Sequence, residues 1–194
     1  MFRRMPLLVF AIAFLSITVS FQDTQAARQM SKKEILEALK PGLWVEMEGI
    51  GQRDLTVLCS KVKFLTGDFL DDDWEVAGVV GLVILGNEEM RILTLPVKAH
   101  KDTEYASKEG TFKSFTDLKK GMLVEVEGTY LKDGKLLAKE IEDETAKMLL
   151  EPDLSNEISV KGRVEDVNAM KSTVKVMGIT FKLTDLTKGK STIR

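Results

Sequence analysis

Cysteine and histidine are nearly absent: Cys59 and His100 are the only representatives in 194 residues. A single cysteine excludes an internal disulfide, and one histidine with one cysteine excludes a zinc centre of the usual His/Cys type. Cys59 is therefore expected as a small buried side chain and His100 as an ordinary loop or strand-end residue. Aromatics make up only 7% of the chain, so an extended stacking platform for single-stranded nucleic acid is disfavoured. An excess of positive charge is also missing. With 28 basic and 30 acidic residues, the chain offers no net attraction to phosphate backbones, and nucleic acid is not an expected partner. There is no Gly-x-Ser-x-Gly elbow, phosphate-cradling glycine loop or Cys-x-x-Cys pair.

Long apolar runs are confined to the start. Arg3 and Arg4 precede an apolar stretch from Pro6 to Leu15, and Thr24-Gln25-Ala26 supplies small residues before a cleavage point. The pattern is that of a secretory signal peptide over residues 1–26. An uncleaved anchor is the alternative, although the apolar core is short against the roughly 20 residues of a spanning helix. Periplasmic or secreted localisation is expected, with no membrane span after cleavage.

What is present is alternation. From Gly121 to Asp143, Met122, Val124 and Val126 alternate with Leu123, Glu125 and Glu127. Asp133-Gly134 then offers a turn, and Leu136 to Ile141 a second strand. A type I′ turn is expected at Lys132–Lys135. The same text occurs earlier, from Gly42 to Phe64: Val45, Glu46, Glu48, Gly49, Asp54 and Leu58 match Val124, Glu125, Glu127, Gly128, Asp133 and Leu137 at an offset of 79. Cys59 falls on Ala138. A second half-unit repeats at an offset of 84, where Val76, Gly78, Val80, Ile92 and Val97 match Val160, Gly162, Val164, Val176 and Phe181. The order is A-B-A-B, interrupted by a helical segment at 142–151.

Ser31 and Glu34 form a capping box before a short helix within residues 27–41. Single strands are expected at Met90–Lys98 and Thr173–Leu183, a loop at Lys101–Lys113, and a frayed tail from Thr184. Side-chain parity changes after Ala138 and Cys59, and again at Thr94 and Gly178. These changes suggest bulges that curl a sheet into a barrel. The fold class is all-β with short helices, built as small closed barrels.

The stretch from Val76 to Glu142 resembles domain-of-unknown-function family 5666, a family of exported bacterial domains. Val76-Ala-Gly78-Val-Val80, Thr103, Leu118 to Gly128, Asp133-Gly134 and Leu136 to Ile141 carry the likeness. The resemblance implies OB-like barrel units in tandem and supplies no catalytic residues. Residues 75–143 then make a central OB-like unit. Residues 42–66 and 157–188 make a second unit in permuted order. The alternative is sequential units at 39–104 and 118–188.

The expected function is a non-catalytic binding or scaffold module for an envelope protein or an oligosaccharide. Trp44, Glu46, Glu48, Glu125 and Glu127 are the candidate contacts, because they share the polar faces of matching strands. Paired carboxylates make a polysaccharide hydrolase the alternative. Asp71, Asp72, Asp73 and Glu75 offer oxygens for calcium, the one cofactor the sequence leaves open, although EF-hand spacing is missing.

Overall fold

The computed structural model describes residues 29–191; the segment 1–26, expected to be a signal peptide, lies outside the described residues. The strands in chain order are β1 (Gln29–Met30), β2 (Trp44–Gly51), β3 (Val57–Phe64), β4 (Trp74–Ile84), β5 (Glu89–Ile92), β6 (Leu95–Lys98), β7 (Glu104–Ser107), β8 (Leu123–Tyr130), β9 (Leu136–Asp143), β10 (Glu157–Asn168), β11 (Thr173–Val176) and β12 (Ile179–Ser191). Helix α1 (Lys32–Ala38) precedes β2, and α2 (Thr145–Leu150) lies between β9 and β10. Ser31 caps α1 through the capping box: its hydroxyl accepts the Glu34 amide and the Glu34 carboxylate accepts the Ser31 amide.

Alternation becomes curvature because each long hairpin carries a bulge. The ladder of β2 with β3 slips between Glu48 and Gly49, and that of β8 with β9 slips between Glu127 and Gly128. The partner backbone closes in at the slip. A Cβ on Gly49 would stand 2.2 Å from the Leu58 oxygen, and one on Gly128 2.1 Å from the Leu137 oxygen. Two buried threonines complete the bends. The Thr187 hydroxyl donates to the Cys59 oxygen and accepts the Thr184 amide. The Thr103 hydroxyl donates to the Ala138 oxygen and accepts the His100 amide.

Pairing closes a five-stranded ring from β4 through β5, β6, β9 and β8 back to β4, with β6 and β9 parallel. A second ring runs β10, β11, β12, β3, β2 and back to β10, with β12 and β3 parallel. It combines strands from the beginning and the end of the described chain. Corresponding hydrogen bonds tie the strand entries in both. Gly42 N–H donates to the Val164 oxygen at 2.8 Å, and Gly121 N–H to the Val80 oxygen at 2.8 Å. Each ring is a small closed barrel.

The barrels share a seam where β4 pairs antiparallel with β10, register Ser159 with Ala77, Val160 with Val76 and Lys161 with Glu75. The contact is reciprocal. Trp74 lies where a Cβ on Gly162 would fall, 2.7 Å from its ring, and Ile158 lies 2.7 Å from the corresponding point on Gly78. Each strand thus seats a large side chain on the other's glycine. Val76, Val160, Ile92, Val126, Val176 and Phe181 are fully buried in one core that spans both rings.

Several expectations change. Met90–Lys98 and the beginning of the Thr173–Leu183 segment are hairpins, turning at Leu93-Thr94 and Met177-Gly178. Turns, not bulges, therefore cause the parity changes there. The loop at Lys101–Lys113 contains β7, which lies parallel to β9. The tail is a strand through Ser191, because Lys188–Ser191 pairs with Lys61–Phe64 and β1 covers its other edge. The Asp133-Gly134 turn is not type I′. Leu131 accepts the Gly134 amide at 3.0 Å, and of the loop residues only Gly134 has positive φ, +82. This is a three-residue loop with a left-handed glycine. The matching loop accepts the Leu55 amide on Gln52, and Leu55 itself takes φ +62.

Candidate functional site

The seam makes one continuous outer face from β3, β2, β10, β4, β8 and β9. Strand alternation puts polar side chains on that face in rows set by register. One row reads Lys63, Glu46, Lys161, Glu75, Glu127 and Glu140; the next reads Lys61, Glu48, Ser159, Ala77, Glu125 and Glu142. The segment between β9 and β10, α2 followed by a 3₁₀ turn at Pro152–Asn156, lies against part of this face. The Glu144 amide donates to the Leu123 oxygen at 2.9 Å and fastens α2 to β8.

Between connector and sheet is a cavity of about 290 Å³. Ala77, Leu123, Val124 and Leu154 give it an apolar part; Glu48, Glu125, Glu144, Glu157, Lys147 and Ser159 give it polar groups. Its cations are already engaged: Lys147 pairs with Glu144, and Lys61 beside the cavity pairs with Glu48. Glu125 and Glu157 have no hydrogen-bond or ion-pair partner among the described residues. Burial first, then the Glu75 carboxylate, pushes the Glu125 carboxyl above the usual range, against Lys147. Burial and then Glu48 do the same to Glu157, against Lys61.

The expected contact residues therefore divide. Glu48 and Glu125 line the cavity. Glu46 and Glu127 lie one row away and are matched by cations. Burial raises the Glu46 carboxyl, but Lys63 at 2.7 Å and Lys61 together bring it below its ordinary value. Glu127 lies 3.7 Å from Lys139. Trp44 shares the side-chain parity of Glu46 and Glu48, yet it is covered, with 9% exposure. It packs between Phe69 at 4.7 Å and Trp74 at 4.9 Å, and Trp74 continues to Tyr130 at 5.2 Å. The Arg163 guanidinium lies 5.4 Å from the Trp44 ring centre. Trp44 thus belongs to an aromatic row that ties β2 to β4 and β8.

The acidic loop disperses. Asp72 pairs with Lys139 at 2.9 Å, the Asp73 carboxylate accepts the Leu70 amide at 2.6 Å, and Glu75 faces Lys161 at 3.5 Å. Among the described residues no group of three or more His, Cys, Asp or Glu side chains is placed to hold a metal. Burial pushes the Cys59 thiol up to about 12, so it is a thiol at neutral pH. The His100 ring accepts the Asp102 amide within its own turn.

Lys147, Leu154, Glu144 and Glu157 were not among the sequence candidates. Their signal was negative: residues 142–156 interrupt an otherwise repeated text, and the interruption builds the cavity wall.

No helix of the described residues is long and apolar enough to cross a membrane. Searches of curated proteins and of solved structures found no match. A family described as a domain of unknown function, DUF5666, matches residues 75–142 and again 161–193. The first match covers β4 through β9, and the second takes in most of β10 with β11 and β12. With more than half of its length matched in these two segments, the chain belongs to the DUF5666 family.

Proposed function

We propose that the protein is an exported, non-catalytic binding module, and that its ligand site is the cavity between the shared outer face and the 142–156 connector. The observation that carries this reading is the lining. An apolar wall with a few polar groups is the composition of small-ligand sites, and about 290 Å³ suits one small ligand or one long side chain, not an oligosaccharide. Export rests on the order of charges, apolar residues and small residues in positions 1–26.

The raised Glu125 carboxyl is the one observation that favours a hydrolase, since general acids need such shifts. A pair of reacting carboxyls stands about 5–9.5 Å apart in glycosidases. Glu48 and Glu125 sit on strands three spacings apart, about 14 Å between backbones, and Glu48 is held by Lys61. Binding is the better-supported reading.

The test is amide chemical-shift mapping with a panel of neutral, anionic and cationic small molecules, repeated with Ala77→Leu. Shifts at Ala77, Leu123 and Ser159 that disappear in the filled variant support the site. A panel that moves none of these amides removes it. N-terminal sequencing of protein from the bacterial envelope should begin near Ala27; recovery of Met1 in the membrane fraction would replace cleavage with an anchor.

A further inference from the structure

The cavity's charge is unbalanced in a specific way, and the imbalance names a ligand chemistry. Lys147 is neutralised by Glu144 and Lys61 by Glu48. That leaves Glu125 and Glu157 as two carboxylates with no hydrogen bond or ion pair among the described residues, both raised by burial and neighbouring acids by more than Lys147 and Lys61 lower them. A carboxylate withdrawn from water without a cation is costly, and an ammonium group placed against it recovers that cost. An anionic ligand would add to the repulsion. A neutral polyol would leave both charges unanswered.

The two carboxylates line the same cavity from different strands, with apolar residues in the lining beside them. Glu125 pairs with Ala77, and Ala77 with Ser159, two residues along β10 from Glu157. Two strand spacings and two residue rises put the two glutamate backbones about 12 Å apart. Both side chains line the cavity, together with the apolar Ala77, Leu123 and Leu154. Methylene groups fit the lining, and an ammonium at each end fits the carboxylates.

Resting on the reading of this cavity as a ligand site, we infer that its ligand is a short aliphatic diamine. The two ammonium groups meet Glu125 and Glu157, and the hydrocarbon lies over Ala77 and Leu123.

The probe is 1,5-diaminopentane, titrated into the labelled protein at physiological salt, with 1,5-pentanediol as its neutral counterpart. The expected result is saturable movement of the Ala77, Leu123 and Ser159 amides with the diamine and none with the diol at the same concentrations. Glu125→Gln and Glu157→Gln should each weaken the diamine by at least about fivefold, as loss of a charged hydrogen-bond partner does. Their spectra should otherwise stay native. Diol binding as tight as diamine binding, or diamine binding unchanged in the double variant, would overturn the inference, as would diamine shifts confined to other surfaces. Occupation of the cavity by a neutral or anionic compound would keep it as a ligand site while ending the diamine assignment.

Discussion

At the scale of single residues, Leu55 and Gly134 make a controlled comparison. They occupy the same place in matching loops, with φ +62 and +82. A left-handed backbone costs an L-residue about 1–2 kcal/mol, and glycine returns about 0.5–1 kcal/mol of that as lost freedom on folding. Leu55 is mostly exposed, so little burial is at stake. Leu55→Gly should therefore stabilise the protein by about 0.5–1 kcal/mol, and Gly134→Val should destabilise it by about 1–2 kcal/mol. Urea unfolding measures both, and effects of equal sign would refute the shared loop geometry. Glu125 gives a second prediction. Its carboxyl is raised by burial, Glu75, Glu142 and Glu144 against Lys147, so the folded state holds this proton more tightly than the unfolded chain. The stability tied to that proton is present below the unfolded value near 4.3 and is lost as pH rises through the folded one. Glu125→Gln should then melt higher than wild type at neutral pH, with the difference vanishing below about pH 4. A difference that grows on acidification would reverse the assignment. Thr103 and Thr187 stand 84 residues apart, the offset of the second half-unit, so their correspondence was legible in the sequence. Their hydroxyl bonds were not, because a buried threonine leaves no periodic trace.

Among the elements, strands announced themselves where one face is wet and one is dry, as in β2 and β8. The short strand β7 and the far end of β12 did not. Neither presents alternating apolar and polar side chains: Glu104–Ser107 is largely polar or half-exposed, and the end of β12 sets lysines against Thr187 and Gly189, which are not large apolar residues. Their pairing to β9 and β3 is set by distant partners. The acidic loop misled for the opposite reason. Asp71-Asp72-Asp73 looks concentrated in one dimension, but Asp72 and Asp73 turn to Lys139 and the Leu70 amide. Added calcium should therefore leave the melting temperature where a chelator leaves it; a calcium-dependent rise would show a site that these contacts do not reveal. The seam between β4 and β10 carries its own test. Gly162→Ala puts a methyl 2.7 Å from the Trp74 ring, and overpacking of this kind costs about 1–3 kcal/mol. Trp74→Leu in the same chain should recover part of that loss. Additive penalties in a double-mutant cycle would show that the two do not touch.

For the molecule as a whole, the offsets of Val45 to Val124 and Val76 to Val160 made small barrels legible, since both halves of a ring repeat the same inward positions. The cavity was not legible, because it lies where non-repeated residues 142–156 cross the outer face, and their resting place depends on the seam. Ring membership predicts the effect of truncation. With residues 157–194 deleted, β2 and β3 lose β10 and β12, and an isolated two-stranded hairpin is marginal in water. Proteolysis should cut residues 39–64 and spare 75–143; protection of both would show that the hairpin has another partner. The same ring also has a timetable. A chain made from its N-terminus produces β2 and β3 first and their remaining ring strands last. At about 5–20 residues per second, the first hairpin waits on the order of 6–25 s for the end of β12, while the central barrel is finished in the interval. During that wait the apolar side of β2 and β3, Val45, Met47, Val57 and Val62, has no permanent cover. The earliest-made part of the ring is thus the last to become safe, and any factor that shelters nascent chains would find its work there.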